Sequence, residues 1–246
     1  IFMQKTKMIF TIGPASDNED TLRKFIEIGM SAARLNFSHG THETHKEKIE
    51  MIKRLREEMD SPTAIILDIK GPKIRTHNFI NGGVELIKGQ EFTFVCGEEI
   101  LGDNSRCSVS YDILYKDVKI GGTILVDDGL LKFRIINIIG KEIKCSVIVG
   151  GVIKDHKGVN VPNVSIQLPS ITEKDIEDIK FGCEMGVDFI AASFIRKARD
   201  ILEVKKVLHE NGGDNIQVIA KIESQEGVDN VDSILEVTDA IMVARG

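Results

Sequence analysis

The sequence predicts an α/β fold: a TIM-type (β/α)8 barrel, incomplete with about six strands present, carrying an inserted all-β barrel-like domain. Three observations predict it. Short apolar strands alternate with amphipathic helices over the first seventy residues and again from Ile171 onward, as in a parallel sheet or barrel. Between about His77 and Pro169 no convincing helix is found, and twelve of the 22 glycines lie there, punctuating short strands. Polar and charged residues follow one strand after another at its carboxyl end, where barrels build their sites.

Lys7–Ile12 reads as the first strand, ended by Gly13-Pro14. A helix over Asn18–Ile28 presents Leu22, Phe25 and Ile26, with Ser16 or Asn18 as N-cap and Gly29 as its stop. Ala32–Phe37 is a second strand running into Ser38-His39-Gly40. Thr41–Met59 is a long helix with Ile49, Ile52, Leu55 and Met59 on one face, broken by Pro62. Ala64–Leu67 is the third strand, ending in Asp68-Ile69-Lys70-Gly71-Pro72. Inside the insertion, Glu91–Cys96, Lys132–Ile139 and Lys144–Val149 read as strands. Glu173–Met185 is a helix with a capping box at Thr172 and Asp175, and Asp188–Ala192 is a strand leading to Ser193-Phe194-Ile195-Arg196. Ala198–Glu210 is a helix stopped by Gly212-Gly213. Val218–Ala220 is a buried strand, and side-chain alternation makes Lys221 and Glu223 project together with Ile222 opposite. A short helical stretch around Val228, Val231, Ile234 and Leu235 precedes a last strand, Ala240–Ala244. The expected domains are 1–74 and 171–246 for the barrel, and 75–170 for an inserted lid. Glycine and proline beside both connections make closure of the lid over the barrel rim an expectation.

Composition narrows the function classes. Hydrophobic residues at 42% and charged residues at 28% describe an ordinary soluble globular chain. A formal net charge of −6 disfavours a dedicated nucleic-acid or anionic-membrane binder. Cys96, Cys107, Cys145 and Cys183 are scattered without a C-x-x-C pair, as expected of reduced thiols in a cytoplasmic protein. No apolar run approaches the roughly 20 residues of a membrane span, and no signal peptide is visible. Met3 reads as the natural start. The α/β part holds about 150 residues, where a full barrel takes about 250. A truncated barrel, or a longer protein, is therefore expected.

Under the barrel reading, one rim collects Arg34, Asn36, Ser38 and His39, then Asp68, Lys70 and Arg75, then Ser193 and Arg196, Lys221 and Glu223, and Arg245 with Gly246. Taken alone, a lysine–glutamate pair is more often a surface ion pair. Five strands presenting charge at the same end are hard to attribute to solvated loop tips. The mix is cation-rich with a few hard oxygen ligands, which suits magnesium-assisted phosphate chemistry.

TIGPAS (Thr11–Ser16), ARLNFSHGTHE (Ala33–Glu43), LDIKGPKIRT (Leu67–Thr76), VDDG (Val126–Gly129), KGVNVP (Lys157–Pro162), SFIRK (Ser193–Lys197), KIESQEG (Lys221–Gly227) and MVARG (Met242–Gly246) resemble, in order, the motifs of the pyruvate kinase family. The resemblance covers the chain from Met3. It implies an eightfold barrel with a β-domain after the third strand, a further C-terminal domain, and a cytoplasmic homotetramer. The implied reaction is glycolytic phosphoryl transfer from phosphoenolpyruvate to ADP, giving pyruvate and ATP. Residue by residue, Arg34 is similar to the arginine contacting the transferring phosphate, and Lys221 to the lysine that stabilises the phosphoryl group in flight. Ser193 and Gly246 fall at substrate positions. Glu223 matches one of two carboxylates for magnesium (or manganese). Asn36, Ser38, Asp68 and the carbonyl of Ile69 match a monovalent-cation site. Asn36, Phe37, Ser38, His39, Arg75 and Lys157 match nucleotide contacts. The plain alternatives are a helix cap for Asn36 or Ser38, a loop acid for Asp68 and an exposed hairpin lysine for Lys157.

Departures from the family pattern shape the expectations. The second magnesium carboxylate and the threonine of proton delivery would lie after Gly246, so the chain alone is expected to be inactive. Ile69 stands where many members carry threonine. Lys73 stands where many carry glutamate, and its ammonium is expected to replace potassium. A related metal-dependent barrel lyase or aldolase acting on pyruvate-like substrates is the alternative, and ADP-dependent pyruvate formation separates the two.

Overall fold

The structure, a computed structural model, describes residues 6–162, 164 and 167–244. β1 (Met8–Thr11) leads to α1 (Glu19–Glu27). Of the two expected caps, Asn18 is the one used. Its Oδ1 accepts from the Thr21 amide at 3.0 Å, while Ser16 folds back on Gly13. Leu22 and Ile26 are buried from this helix, each worth about 1.5–3 kcal/mol relative to exposure. β2 (Met30–Asn36) starts two residues earlier and stops one residue earlier than expected. α2 (His42–Glu58) is capped by Thr41, which forms a reciprocal capping box with Thr44, and it buries Ile49, Ile52 and Leu55. β3 (Ala64–Asp68) includes Asp68 as its last residue.

The next segment contains β4 (Gly83–Leu86), β5 (Glu91–Val95), β6 (Arg106–Ser108), α3 (Leu114–Asp117), β7 (Thr123–Val126), β8 (Leu131–Ile139), β9 (Glu142–Val149), β10 (Gly151–Lys154) and β11 (Val159–Asn160). Here α3 and a 3-10 turn at Ile80–Gly82 correct the expectation of a helix-free insertion. The single turn of α3 forms because Leu114 is fully buried and Tyr111 Oη donates to Asp117 Oδ2 at 2.7 Å. Such short-range periodicity is below what a sequence pattern reveals.

Then follow α4 (Glu173–Glu184), β12 (Phe189–Ala192), α5 (Ala198–Glu210), β13 (Gln217–Ile222), α6 (Gln225–Asp229), α7 (Val231–Leu235) and β14 (Ala240–Val243). The one helical stretch expected after Lys221 is two short helices meeting at Asn230. The side chain of Asn230 donates to the Arg196 carbonyl at 2.9 Å, pinning the break.

The chain forms two compact units, Ile1–Pro72 with Ser170–Arg245, and Lys73–Pro169. In the first, six strands lie in the order β1-β2-β3-β12-β13-β14, every neighbouring pair parallel. This is an incomplete (β/α) barrel. Strand alternation divides its side chains. Ala33, Leu35, Ile65, Leu67, Ile190, Ala192, Val218 and Ala220 pack with helix residues such as Leu22, Ile49, Ile179 and Val204. Ala32, Ile66, Ala191 and Ile219 form a separate small cluster on the opposite face. The second unit holds a six-stranded sheet, β11-β7-β8-β9-β5-β6, and a two-stranded antiparallel sheet, β10-β4. Its core centres on Phe92, Phe94 and Phe133, whose rings meet edge-on or tilted at 5.0–5.5 Å. Cys96, Cys107 and Cys145 are buried there as free thiols, and burial pushes all three up, Cys96 to about 11 and Cys145 to about 12. They are packing residues rather than nucleophiles. Among the described residues no helix is long and apolar enough to cross a membrane.

Candidate functional site

The small inner cluster of the parallel sheet points to the site. Two residues beyond Ala32 stands Arg34, two beyond Ile66 stands Asp68, two beyond Ala191 stands Ser193, and two beyond Ile219 stands Lys221. Alternation thus carries one face from alanine and isoleucine into charge at the carboxyl ends of the strands. Register brings the ends level: Asn36 pairs with Asp68, and Asp68 with Ala191.

Asp68 is the centre. It is 1% exposed. Its Oδ2 accepts from Arg34 Nε at 2.6 Å, and its Oδ1 accepts from Lys221 Nζ at 3.0 Å. Lys221, 8% exposed, also donates to Ser193 Oγ at 2.7 Å, and Ser193 Oγ donates onward to the Ile69 carbonyl at 2.7 Å. Arg34 NH1 reaches Thr11 Oγ1 at 2.8 Å. Two cations are therefore held beside a single buried carboxylate. Burying such charges is costly unless they are paired. The arrangement sets two cationic groups side by side at the strand ends, where an anion can meet them.

Glu223 is drawn aside from this cluster. Its Oε2 accepts from the Phe194 amide at 2.8 Å, and its Oε1 lies 3.6 Å from Lys221 Nζ, beyond hydrogen-bond range. Phe194 adopts φ +58, a left-handed backbone unusual for an aromatic residue, and this aims its N–H at the carboxylate. Gly71, at φ +68, lets the chain after Asp68 pass against Ser193. A Cβ there would lie 2.8 Å from the Ser193 carbonyl oxygen. The Gly71 amide donates to buried Asp175 Oδ1 at 2.9 Å, so the cap of α4 also fixes this turn. Asp200, equally buried, accepts from the Arg196 amide at 2.9 Å and from Ser170 Oγ at 2.6 Å.

Asn36 Oδ1 accepts from the Ser38 amide at 3.1 Å, and the Phe37 amide donates to the Asp68 carbonyl at 2.9 Å. The loop Asn36–His39 is thus tied to the end of β3. Lys70 is exposed. In the second unit, Arg75 donates from NH1 to the His156 carbonyl at 2.9 Å, and Lys157 Nζ donates to Asp127 Oδ1 at 2.9 Å. Lys73 lies 3.7 Å from Asp128, and its stem crosses Gly158 so closely that a Cβ there would meet its Cε at 2.2 Å. Arg34, Asn36, Asp68, Ile69, Ser193, Lys221 and Glu223 are brought together in the first unit, whereas Arg75, Lys157 and Lys73 belong to the second. Arg245 and Gly246 lie outside the described residues.

The donor set fits the expected cations. Among the described residues no three His, Cys, Asp or Glu side chains form a protein-only cage. Magnesium commonly takes one or two carboxylates and completes its shell with substrate oxygens and water. Glu223 offers one oxygen that carries no hydrogen bond to Lys221. For a monovalent cation, Asn36, Ser38, Asp68 and the Ile69 carbonyl are all oxygen donors. Asp68 has two of its roughly four lone-pair positions engaged, by Arg34 and Lys221.

Sequence reasoning missed Thr11, the Phe194 amide, Asp175 and Asp200. Thr11 was findable as the polar residue ending the first strand. The Phe194 amide acts through a backbone conformation, Asp200 through the cap of α5, and Asp175, legible as a capping-box residue, through a bond to Gly71 that no local pattern announces.

The sequence model of the family described as "Pyruvate kinase, barrel domain" matches residues 3–246. The chain is 68% identical over 244 residues to a pyruvate kinase of Clostridium perfringens, covering 99% of this chain and 52% of that protein. It is 57% identical over 244 residues to a pyruvate kinase of Clostridium acetobutylicum, with the same coverage. To a pyruvate kinase of Staphylococcus aureus it is 50% identical over 246 residues, covering 99% of this chain and 42% of that protein. The chain spans about half the length of the curated relatives it matches.

Proposed function

The chain belongs to the pyruvate kinase family, and from that premise we propose that the protein containing it transfers the phosphoryl group of phosphoenolpyruvate to ADP, giving pyruvate and ATP in the cytoplasm. The observation that carries this reading is the convergence of Arg34 and Lys221 on Asp68 at the carboxyl ends of parallel strands. Phosphoryl transfer asks little covalent chemistry of a protein. It asks for alignment and for positive charge where negative charge moves. A unit charge about 4 Å from a phosphate is worth about 4 kcal/mol at an effective dielectric of about 20.

In this reading Arg34 grips the phosphoryl group with the guanidinium nitrogens that Asp68 leaves to it. Lys221 follows the charge from leaving oxygen to acceptor oxygen, and Ser193 fixes the lysine's height. Glu223 would hold magnesium or manganese, which when bound supplies charge neutralisation on the substrate oxygens. Asn36–His39, Arg75 and Lys157 receive the nucleotide phosphates. Lys73 supplies a fixed positive charge in place of potassium, so the enzyme is expected to work in a bulky organic cation at equal ionic strength. Loss of most activity without potassium would remove that role from Lys73.

The test is pyruvate formation from phosphoenolpyruvate and ADP by the full-length enzyme, with and without chelator. Activity that depends on ADP and is restored by magnesium or manganese supports the reading. Lys221→Met is expected to lower kcat by about 10²–10³-fold. Pyruvate release without ADP would favour a barrel lyase or aldolase instead.

A further inference from the structure

One side chain of α2 reaches back beneath the loop that precedes it. His45, fourth residue of the helix, is 5% exposed. Its Nε2 lies 2.7 Å from the carbonyl oxygen of His39. A carbonyl only accepts, so Nε2 carries the hydrogen, and Nδ1 of the neutral ring carries none. Nδ1 is buried and has no hydrogen-bond partner among the described residues. The ring stacks on Phe37 with centroids 3.9 Å apart and planes 13° from parallel. Gly40 passes close by at φ +85, and a Cβ there would stand 3.1 Å from Nε2. A single imidazole therefore bonds His39, stacks on Phe37 and leaves little room for a side chain at Gly40.

The groups around it are His39 in the loop, His42 and Lys48 on α2, and Asp178 on α4. Asp178 accepts from Lys174 at 2.6 Å and lies 2.6 Å from His42 Nε2. Burial holds the His45 pKa below its ordinary value, outweighing the upward pull of the His39 carbonyl and Asp178.

We infer that His45 is a positioning residue for nucleotide binding: its Nε2–H sets the His39 carbonyl and its ring sets Phe37, holding Asn36–His39 ready for the nucleotide phosphates. The inference rests on the function proposed above. Neither Phe37 nor His39 can move far without breaking the stack or the bond. A second hydrogen, at Nδ1, has no acceptor among the described residues, so the neutral ring is the working form.

The experiment varies ADP and phosphoenolpyruvate separately in the full-length enzyme. His45→Phe keeps a ring for Phe37 and removes the donor. It is expected to raise KM for ADP about tenfold, since the His39 carbonyl is left without its partner. KM for phosphoenolpyruvate is expected to stay within about twofold, a split that general loosening of the fold would not produce. His45→Gln places an amide N–H near the Nε2 position and is expected to recover most of the loss. Nitrogen-15 correlation spectra of the wild type at neutral pH should show a neutral ring protonated on Nε2, and these spectra decide the matter if the phenylalanine variant does not fold. An unchanged KM for ADP, equal rises for both substrates, or a ring protonated on Nδ1 would overturn the inference. A wild type without ADP-dependent pyruvate formation would instead overturn the proposed function.

Discussion

Asp68 shows how much one side chain can organise. Its carboxylate is nearly inaccessible and holds Arg34 and Lys221 on separate oxygens. Removing it by Asp68→Ala leaves the lysine ammonium buried beside Ser193 with Glu223 only at 3.6 Å. Breaking a buried pair from one side typically costs about 3–5 kcal/mol. The expected outcome is a loss of that order in urea denaturation, together with loss of turnover. Asp68→Asn keeps the shape but only one acceptor and no charge, so its NH2 faces one of the two cations, and it is expected to lose both stability and turnover. His45 gives a pH prediction at the same scale. Its folded pKa lies below the ordinary value of 6.5. As pH falls below 6.5, the unfolded chain takes up the proton first, and by linkage the folded state loses stability. The contribution is fully present above 6.5 and is lost as pH falls through the lower folded value. His45→Phe is expected to flatten this part of the profile, measured as the denaturation midpoint between pH 7 and pH 5.

At the scale of elements, turns carry more of the site than helices do. The turn after β3 depends on Gly71, whose φ of +68 and close approach to Ser193 leave no room for a side chain. The clash is with backbone, so no flexible side chain can yield. Gly71→Ala is expected to destabilise the protein by at least about 1–3 kcal/mol. It should also lower kcat, because the displaced Ser193 no longer supports Lys221. Unchanged melting and turnover would show that the turn relaxes freely. The helices contribute by their caps: Asp175 closes the capping box of α4 and bonds Gly71 with its other oxygen. Much of this was legible beforehand. TEKD before an apolar run announces a capping box, and apolar spacing announces α2 and α5. The bond from Asp175 to Gly71 spans 104 residues, and no local pattern contains it.

For the molecule as a whole, each compact unit has its own core, one built on parallel strands and helices, the other on three phenylalanines. In the parallel sheet, β1 pairs only with β2 and β14 only with β13 among the described residues. Ile9 on β1 is 52% exposed and Val243 on β14 is 89% exposed. Such edges and apolar side chains are templates for association. The isolated 246-residue polypeptide is expected to self-associate, with light scattering giving masses above the monomer that grow with concentration. A monomer at high concentration would show that these edges are protected.

The sequence by itself determined the alternation of elements, the placing of an all-β insertion after the third strand, and the strand ends at which Arg34, Asp68, Ser193 and Lys221 lie. Each of these follows from local periodicity: two for strands, 3.6 for helices. Motif order was enough to recognise the family. Tertiary structure alone decided that Asp68 is shared by Arg34 and Lys221, that Glu223 turns to the Phe194 amide, and that His45 underpins Phe37 and His39. It also decided that α3 forms and that the helix after Glu223 breaks at Asn230. Those outcomes depend on burial and on partners distant in the chain. A carboxylate chooses its cation by which charges are desolvated around it, and only the packed fold settles which those are.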